Sequence, residues 1–244
     1  MRVSSLAYGV LAVSVGALIG VLVGLQRHDV AGNPRATSKA GVYTRSTATL
    51  ATDPGYIARR VIVGVDRSLS AQALFERYKG FVDLVVQYVL PSDGCMELLF
   101  FANRLTKVYE GLIRDPRDLW AAVDQYLRTG SPDRGTCPGL VLEHAGKKLD
   151  SDPASAAAIV LIWDGGNEDR DRSLSELAGA LASRPNFIGL WVVGVKDELR
   201  LSVESDLSPI PPPKLLISGL SDVEVGLRRF RRLVKAFSPA SQYR

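Results

Sequence analysis

Apolar residues in this chain follow two periods, and the switch between them divides it into strands and helices. RRVIVGVD (59–66) is a continuous apolar run that closes on a carboxylate, the pattern of a strand covered on both faces. Residues 71–90 then carry Leu74, Tyr78, Phe81, Val85 and Tyr88 or Val89 at helical spacing, with Pro91 as the stop. MELLFFA (96–102) predicts a second strand, and Asn103-Arg104 make a tight connection into LTKVYEG, whose alternation suits an antiparallel edge strand. A helix begins with Asp115 as cap and Pro116 in its first turn. TGSPDRGTCPG is a loop, and GLVLEHAGKKLD is a further helix whose lysines oppose the helix dipole.

The pattern continues to the end of the chain. AAAIVLIWDGG (156–166) is a third buried strand, again closing on an aspartate. SLSELAGALASR carries a capping box from Ser173 to Glu176, and NFIGLWVVGV (186–195) is a fourth buried strand. No element is assigned to residues 196–207. SPIPPPK (208–214) reads as a stiff extended passage that cannot be helical, leading into the short strand KLLISG. A last helix has a capping box from Ser221 to Glu224 and an apolar stripe of Val223, Leu227, Phe230, Val234 and Phe237, its arginines forming the solvated side. Strands alternating with helices predict an α/β fold: a doubly wound, mostly parallel, Rossmann-like sheet with one antiparallel edge strand.

Ahead of this body, residues 6–25 contain no charged side chain. A helix of that length spans the roughly 30 Å hydrocarbon layer at about 1.5 Å per residue. The run is longer than a signal-peptide core and lacks a small-x-small exit, so it predicts an uncleaved single-pass anchor over residues 1–28. Gly16 and Gly20 form a GxxxG, read as glycines tolerated in lipid. Residues 29–55, rich in Ser, Thr, Ala and Gly, predict a flexible linker, and residues 56–240 the folded domain. Basic residues after the helix lean towards a cytoplasmic domain, but large domains translocate regardless of such charges, so the side stays open.

Charge narrows the function. The net charge of +4 sits in residues 1–50, which hold five basic side chains and one acid; the remaining residues hold 25 of each sign. A balanced body lacks the concentrated positive field of a nucleic-acid surface, so no nucleic-acid partner is expected. Two cysteines, Cys95 and Cys137, are too few for a disulfide framework or a cysteine zinc site. His28 and His144 leave little material for imidazole chemistry, and a Cys137–His144 nucleophile pair lacks a third orienting group.

In open parallel sheets functional groups gather at the carboxyl ends of the strands. Three segments place oxygen donors there: Asp66, Ser68 and Ser70 after the first strand, Thr136 before a helix, and Asp164 at the end of the third buried strand. Gly135, Gly165 and Gly166 let the chain turn beside them. Two carboxylates and three hydroxyls are hard ligands, poor for zinc and suited to Mg2+ or Mn2+. They cannot fill an octahedron of about six oxygens, so a position stays open, and neutral hydroxyls leave the ion electron-poor and receptive to an incoming carboxylate. Each residue also has an ordinary structural role open to it: serine or threonine as a helix cap, aspartate as a turn starter. The acidic run DGGNEDRD (164–171) lacks EF-hand spacing and reads as a solvated loop.

Asp66-x-Ser68-x-Ser70, then Thr136, then Asp164-Gly165, on this order of strands, resembles a von Willebrand factor A-type (vWA) domain with a complete metal-ion-dependent adhesion site (MIDAS). The resemblance covers roughly residues 57–237. It implies that the serines and threonine ligate a metal ion directly or nearly so, that the aspartates act often through water, and that an acidic side chain of a protein partner completes the shell. The chain departs from the family at Trp163, where threonine or serine is usual, a change that would crowd the site or offer a partner an apolar contact. Cys137 directly follows the threonine, at a variable place. The expected function is a membrane-anchored, non-enzymatic protein-binding module. Two alternatives stand beside it: a Mg-dependent hydrolase or phosphotransferase, which lacks a visible base, paired carboxylate or P-loop, and a scaffold with a vestigial metal site.

Overall fold

The computed structural model describes residues 59–89, 94–129 and 133–236. The predicted anchor (1–28) and linker (29–55) lie outside them. Among the described residues no helix is long and apolar enough to cross a membrane.

Among the described residues six strands form one sheet: β1 (Arg59–Asp66), β2 (Cys95–Phe101), β3 (Leu105–Leu112), β4 (Ala156–Ile162), β5 (Phe187–Val193) and β6 (Leu215–Ser218). Their order is β3-β2-β1-β4-β5-β6. All neighbours run parallel except β2 and β3, whose short connection permits only an antiparallel pair. The β3 edge is half exposed, as its alternating sequence requires, whereas β4 and β5 are buried along their whole length.

Six α-helices of the described residues cover the two faces. On one side α1 (Phe75–Tyr88), α2 (Pro116–Thr129) and α6 (Val223–Ala236) pack against Val61, Val63 and Val65 of β1 and their neighbours. On the other, α3 (Gly139–Ser151), α4 (Leu174–Ala182) and α5 (Arg200–Asp206) pack against Ile62, Leu99, Ile159 and Leu190. Alternate residues of one strand therefore feed two separate cores, the reason its apolar run is unbroken. The first strand, the hairpin and the Ser173 cap, which accepts from the Glu176 N–H at 3.2 Å, match the sequence expectation.

Three expectations need correction. Residues 200–206 form α5, held by one buried side chain, Val203, too few apolar positions to give a readable period. The proline passage is not wholly extended: Pro212–Lys214 make a 3-10 turn closed by the Lys214 N–H on the Pro211 carbonyl at 2.8 Å. Proline's fixed φ suits such a turn, whose first residues have no N–H to lose. The last helix begins at Val223, so Asp222 rather than Ser221 precedes it, its carbonyl accepting from the Val225 and Gly226 N–H groups at 3.1 Å each.

Gly64 sits inside β1 for reasons of space. A methyl group there would lie 2.8 Å from both methyls of Val141 in α3, so glycine lets that helix settle onto the strand just before its functional end. Gly64→Ala is expected to push α3 outward and cost about 1–3 kcal/mol in urea unfolding, the usual range for overpacking.

Candidate metal centre at the carboxyl edge of the sheet

The order of the strands reverses between β1 and β4: from β1 the chain goes outward to β2, then returns to the opposite side for β4. Loops leaving the two strands diverge and open a crevice, the place where open α/β sheets hold ligands. The pairing of Val65 with Ile162 sets the register. Asp66 ends β1 and Asp164 lies just beyond β4, so both carboxylates arrive at this crevice. Asp66 is 0% and Asp164 2% exposed.

The Asp66 carboxylate is only half satisfied. Its Oδ1 accepts from the Ser68 N–H at 2.8 Å, the turn that starts the loop, while Oδ2 is shielded from water and has no hydrogen-bond partner among the described residues. Burial pushes the Asp66 pKa up to about 6, and the Asp164 charge adds to the rise; hydrogen bonds from Ser68 and the attraction of Lys196 offset only part of it. Ser68 is buried and its hydroxyl shares a 2.9 Å hydrogen bond with that of the exposed Ser70. The three residues of the first motif are thus linked by adjacent hydrogen bonds. Leu69, between the serines, is 50% exposed. The loop is anchored by Arg67, whose N–H donates to the Phe101 carbonyl at 2.8 Å and whose guanidinium lies over the Phe75 ring.

Thr136 is buried, in a loop fastened on two sides. The Cys137 N–H donates to Ala102 O at 2.9 Å, beside the end of β2, and the Glu168 N–H donates to Thr136 O at 2.7 Å, from the loop that carries Asp164. Gly135 and Gly165 hold positive φ angles of 83° and 101°, as their turns demand; Gly166 does not share this conformation. The buried Tyr78 hydroxyl has no hydrogen-bond partner among the described residues, and burial with the fields of Asp66 and Asp164 keeps it protonated.

Asp164 is satisfied on both oxygens. Oδ1 accepts from the Gly166 N–H at 3.0 Å and Oδ2 from the Lys196 ammonium at 2.8 Å. Lys196 lies just beyond β5, where its own N–H donates to the Asp164 carbonyl at 3.0 Å. The sequence reading missed this lysine. Its signal was present, since a polar side chain directly after the neighbouring parallel strand reaches the same crevice.

Trp163, the acidic run, Cys137 and His144 also take definite places around the site. Trp163 is fully buried, with its indole N–H donating to Gly166 O at 2.6 Å, so it braces the Asp164 loop from within and offers no surface to a partner. In the acidic run, Asp169 turns inward to accept from the Gly139 N–H at 2.8 Å at the start of α3, while Asn167, Glu168, Arg170 and Asp171 are exposed. Cys137 and His144 do not pair. The thiol's pKa is pushed up to about 11 by burial and Asp169, and His144 shares a 2.8 Å hydrogen bond with Glu97. Glu97, a fully buried carboxylate in β2, was also missed; Arg60 and Lys148 stand 4.0 and 3.9 Å from its oxygens.

The donor set fits a hard divalent ion of modest demand: two buried carboxylates, one with an unpartnered oxygen, and three hydroxyl residues around the same edge. Among the described residues no group of three or more His, Cys, Asp or Glu is placed to hold a metal, so an ion here would draw on hydroxyls and water as well.

Comparison with known proteins gives the fold its class. No protein-family profile and no curated protein matches the sequence. Solved structures match the fold. A von Willebrand factor type A protein from Catenulispora acidiphila superposes with TM-score 0.56 at 15% identity, covering 73% of this chain and 42% of its own. Proximal thread matrix protein 1 from the mussel byssus, with a zinc-occupied MIDAS motif, gives 0.53 at 18%, covering 74% and 46%. An aerotolerance-related membrane protein from Bacteroides fragilis gives 0.56 at 14%, covering 74% and 100%. The chain spans less than half the length of the first two. The fold is that of vWA-type domains.

The half-satisfied aspartate predicts a pH effect of definite sign. The folded pKa of Asp66, about 6, exceeds the ordinary 3.8, so the folded state holds more protons between these values. Stability is therefore lost as pH rises from about 4 to 6. With no divalent metal added, Asp66→Asn should exceed wild type by about 2–3 kcal/mol at pH 8 and match it near pH 4 in urea unfolding.

Proposed function

We propose that this chain is a membrane-anchored vWA-like module in which Asp66, Ser68, Ser70, Thr136 and Asp164 hold Mg2+ or Mn2+, and the ion engages an acidic side chain of a protein partner. The observation that carries the reading is the Asp66 Oδ2, buried and without a partner at the topological switch point. A buried carboxylate oxygen with nothing to accept from costs several kcal/mol unless a cation reaches it, on the order of the desolvation penalty of a charged group. A bound divalent ion would supply that charge and, because the donor set is short of six, an open position for an outside oxygen. Ser68 and Ser70 offer hydroxyl lone pairs beside Asp66, and Leu69 between them provides an apolar rim against which a partner can pack.

A binding role is favoured over catalysis by where the reactive groups sit. His144 is committed to Glu97, and the Cys137 thiol is held protonated. Neither can serve as base or nucleophile at the switch point. The anchor over residues 6–25 rests on its uncharged length, enough for a membrane-spanning helix, and a structurally similar Bacteroides fragilis protein described as an aerotolerance-related membrane protein is compatible with it.

The full chain in detergent tests the metal reading. Mn2+ or Mg2+ at about a hundred times its Kd should stabilise wild type by roughly 2.7 kcal/mol, seen as a rise in Tm, and Asp66→Ala should abolish the rise. An equal rise in both proteins, or none in either, would refute the site. A chelator-sensitive partner captured from solubilised membranes should be lost with Leu69→Asp while the metal-induced rise in Tm persists; unchanged capture would remove Leu69 from the interface.

A further inference from the structure

We propose that the Lys196 ammonium is a built-in competitor for the metal: it occupies Asp164 in the metal-free protein and must leave, or be opposed, when a divalent ion enters. This rests on the metal reading above and concerns how the same centre is regulated.

The two ends of the Lys196–Asp164 pair lie in different environments. The carboxylate side chain is 3% exposed and the lysine side chain 39%. The ammonium thus reaches into the crevice from its rim, on a flexible stem with water at its back. Its backbone is fixed, because the Lys196 N–H donates to the Asp164 carbonyl and the Lys196 carbonyl accepts from Leu199. Only the side chain has to move to vacate the carboxylate, and rotation towards solvent exchanges the pair for a hydrated ammonium. Such half-exposed ion pairs are weak enough to open.

Charge explains why both cations cannot rest there comfortably. Asp66 and Asp164 together carry two negative charges, and the ammonium cancels one. A divalent ion added beside an ammonium that stays in place leaves the centre net positive, with like charges a few ångströms apart in a buried setting where screening by salt is poor. With the lysine swung out, the ion meets two free carboxylates. The ammonium therefore raises the metal concentration needed to load the site, and it spares the metal-free protein a second uncompensated acid next to Asp66. Occupancy becomes a choice between an internal monovalent cation and an external divalent one.

Mn2+ affinity of the full chain in detergent, read from the electron paramagnetic resonance signal of free Mn2+, tests this. Lys196→Met and Lys196→Gln should bind about tenfold more tightly than wild type, and Lys196→Arg, which keeps the charge, should stay close to wild type. In the absence of metal Lys196→Met should melt below wild type, and Mn2+ should restore it. Adding Asp66→Ala to Lys196→Met should remove the gain, tying it to this centre. If the neutral variants fold by circular dichroism and bind Mn2+ no better than wild type, the competition is overturned while the metal reading stands. If neither wild type nor the neutral variants bind, both fall together. Binding by the neutral variants alone would establish the competition in its strongest form.

Discussion

Everything at the functional edge depends on the parallel pairing of β1 with β4. Two continuously apolar strands, side by side and in register, must deliver whatever follows their last core residue to one place. Here that residue is an aspartate in each case, Asp66 directly at the end of β1 and Asp164 two positions beyond β4. Because helices cover both faces, neither carboxylate can turn away to bulk water as it could at the end of an exposed hairpin. Sheet topology, rather than local sequence, makes them neighbours, and their mutual repulsion follows from it.

The chain resolves that repulsion unevenly. Asp164 receives an N–H on one oxygen and an ammonium on the other, and its loop is braced by the Trp163 indole. Asp66 receives a single N–H and keeps an unpartnered oxygen. Had both been salt-bridged, the edge would be an ordinary structural ion-pair cluster. Had neither been, two adjacent buried charges would strain the metal-free fold. One neutralised and one open acid give an edge that is stable enough to fold and still attracts positive charge.

Legibility in the sequence tracks how local each cause is. The strands were readable because burial on two faces writes itself as an unbroken apolar run, and the hairpin because two residues cannot connect parallel strands. The α5 helix was not, since a single buried valine over seven residues leaves no period to detect. The motif residues could be grouped because each ends a strand or lies in a loop just after a strand or just before a helix at the same edge. Lys196 lies just beyond β5 at the same edge, but an ammonium cannot ligate a cation and so has no place in a pattern of oxygen ligands. Glu97 was invisible for a deeper reason. One acid inside MELLFFA reads as an interruption, and the partners that make it tolerable, His144, Lys148 and Arg60, come from α3 and β1, far away in sequence.

Glu97 and Asp66 make the comparison that gives the open oxygen its meaning. Both are fully buried carboxylates in the same sheet. Around Glu97 the fold gathers an imidazole at 2.8 Å and two cationic side chains near 4 Å, drawn from two elements, so the chain can satisfy a buried acid when its role is to hold the fold together. One oxygen there, Oε2, lacks a hydrogen bond yet faces the Arg60 guanidinium at 4.0 Å. Among the described residues Asp66 Oδ2 has no such counter-charge in contact, although Lys196 stands close enough for its field to be felt and bonds to the other aspartate instead. An acid left open beside a lysine that neutralises its neighbour is a division of labour. Lys196 neutralises Asp164, and Asp66 keeps an unpartnered oxygen whose charge a divalent ion would meet under the metal reading proposed above.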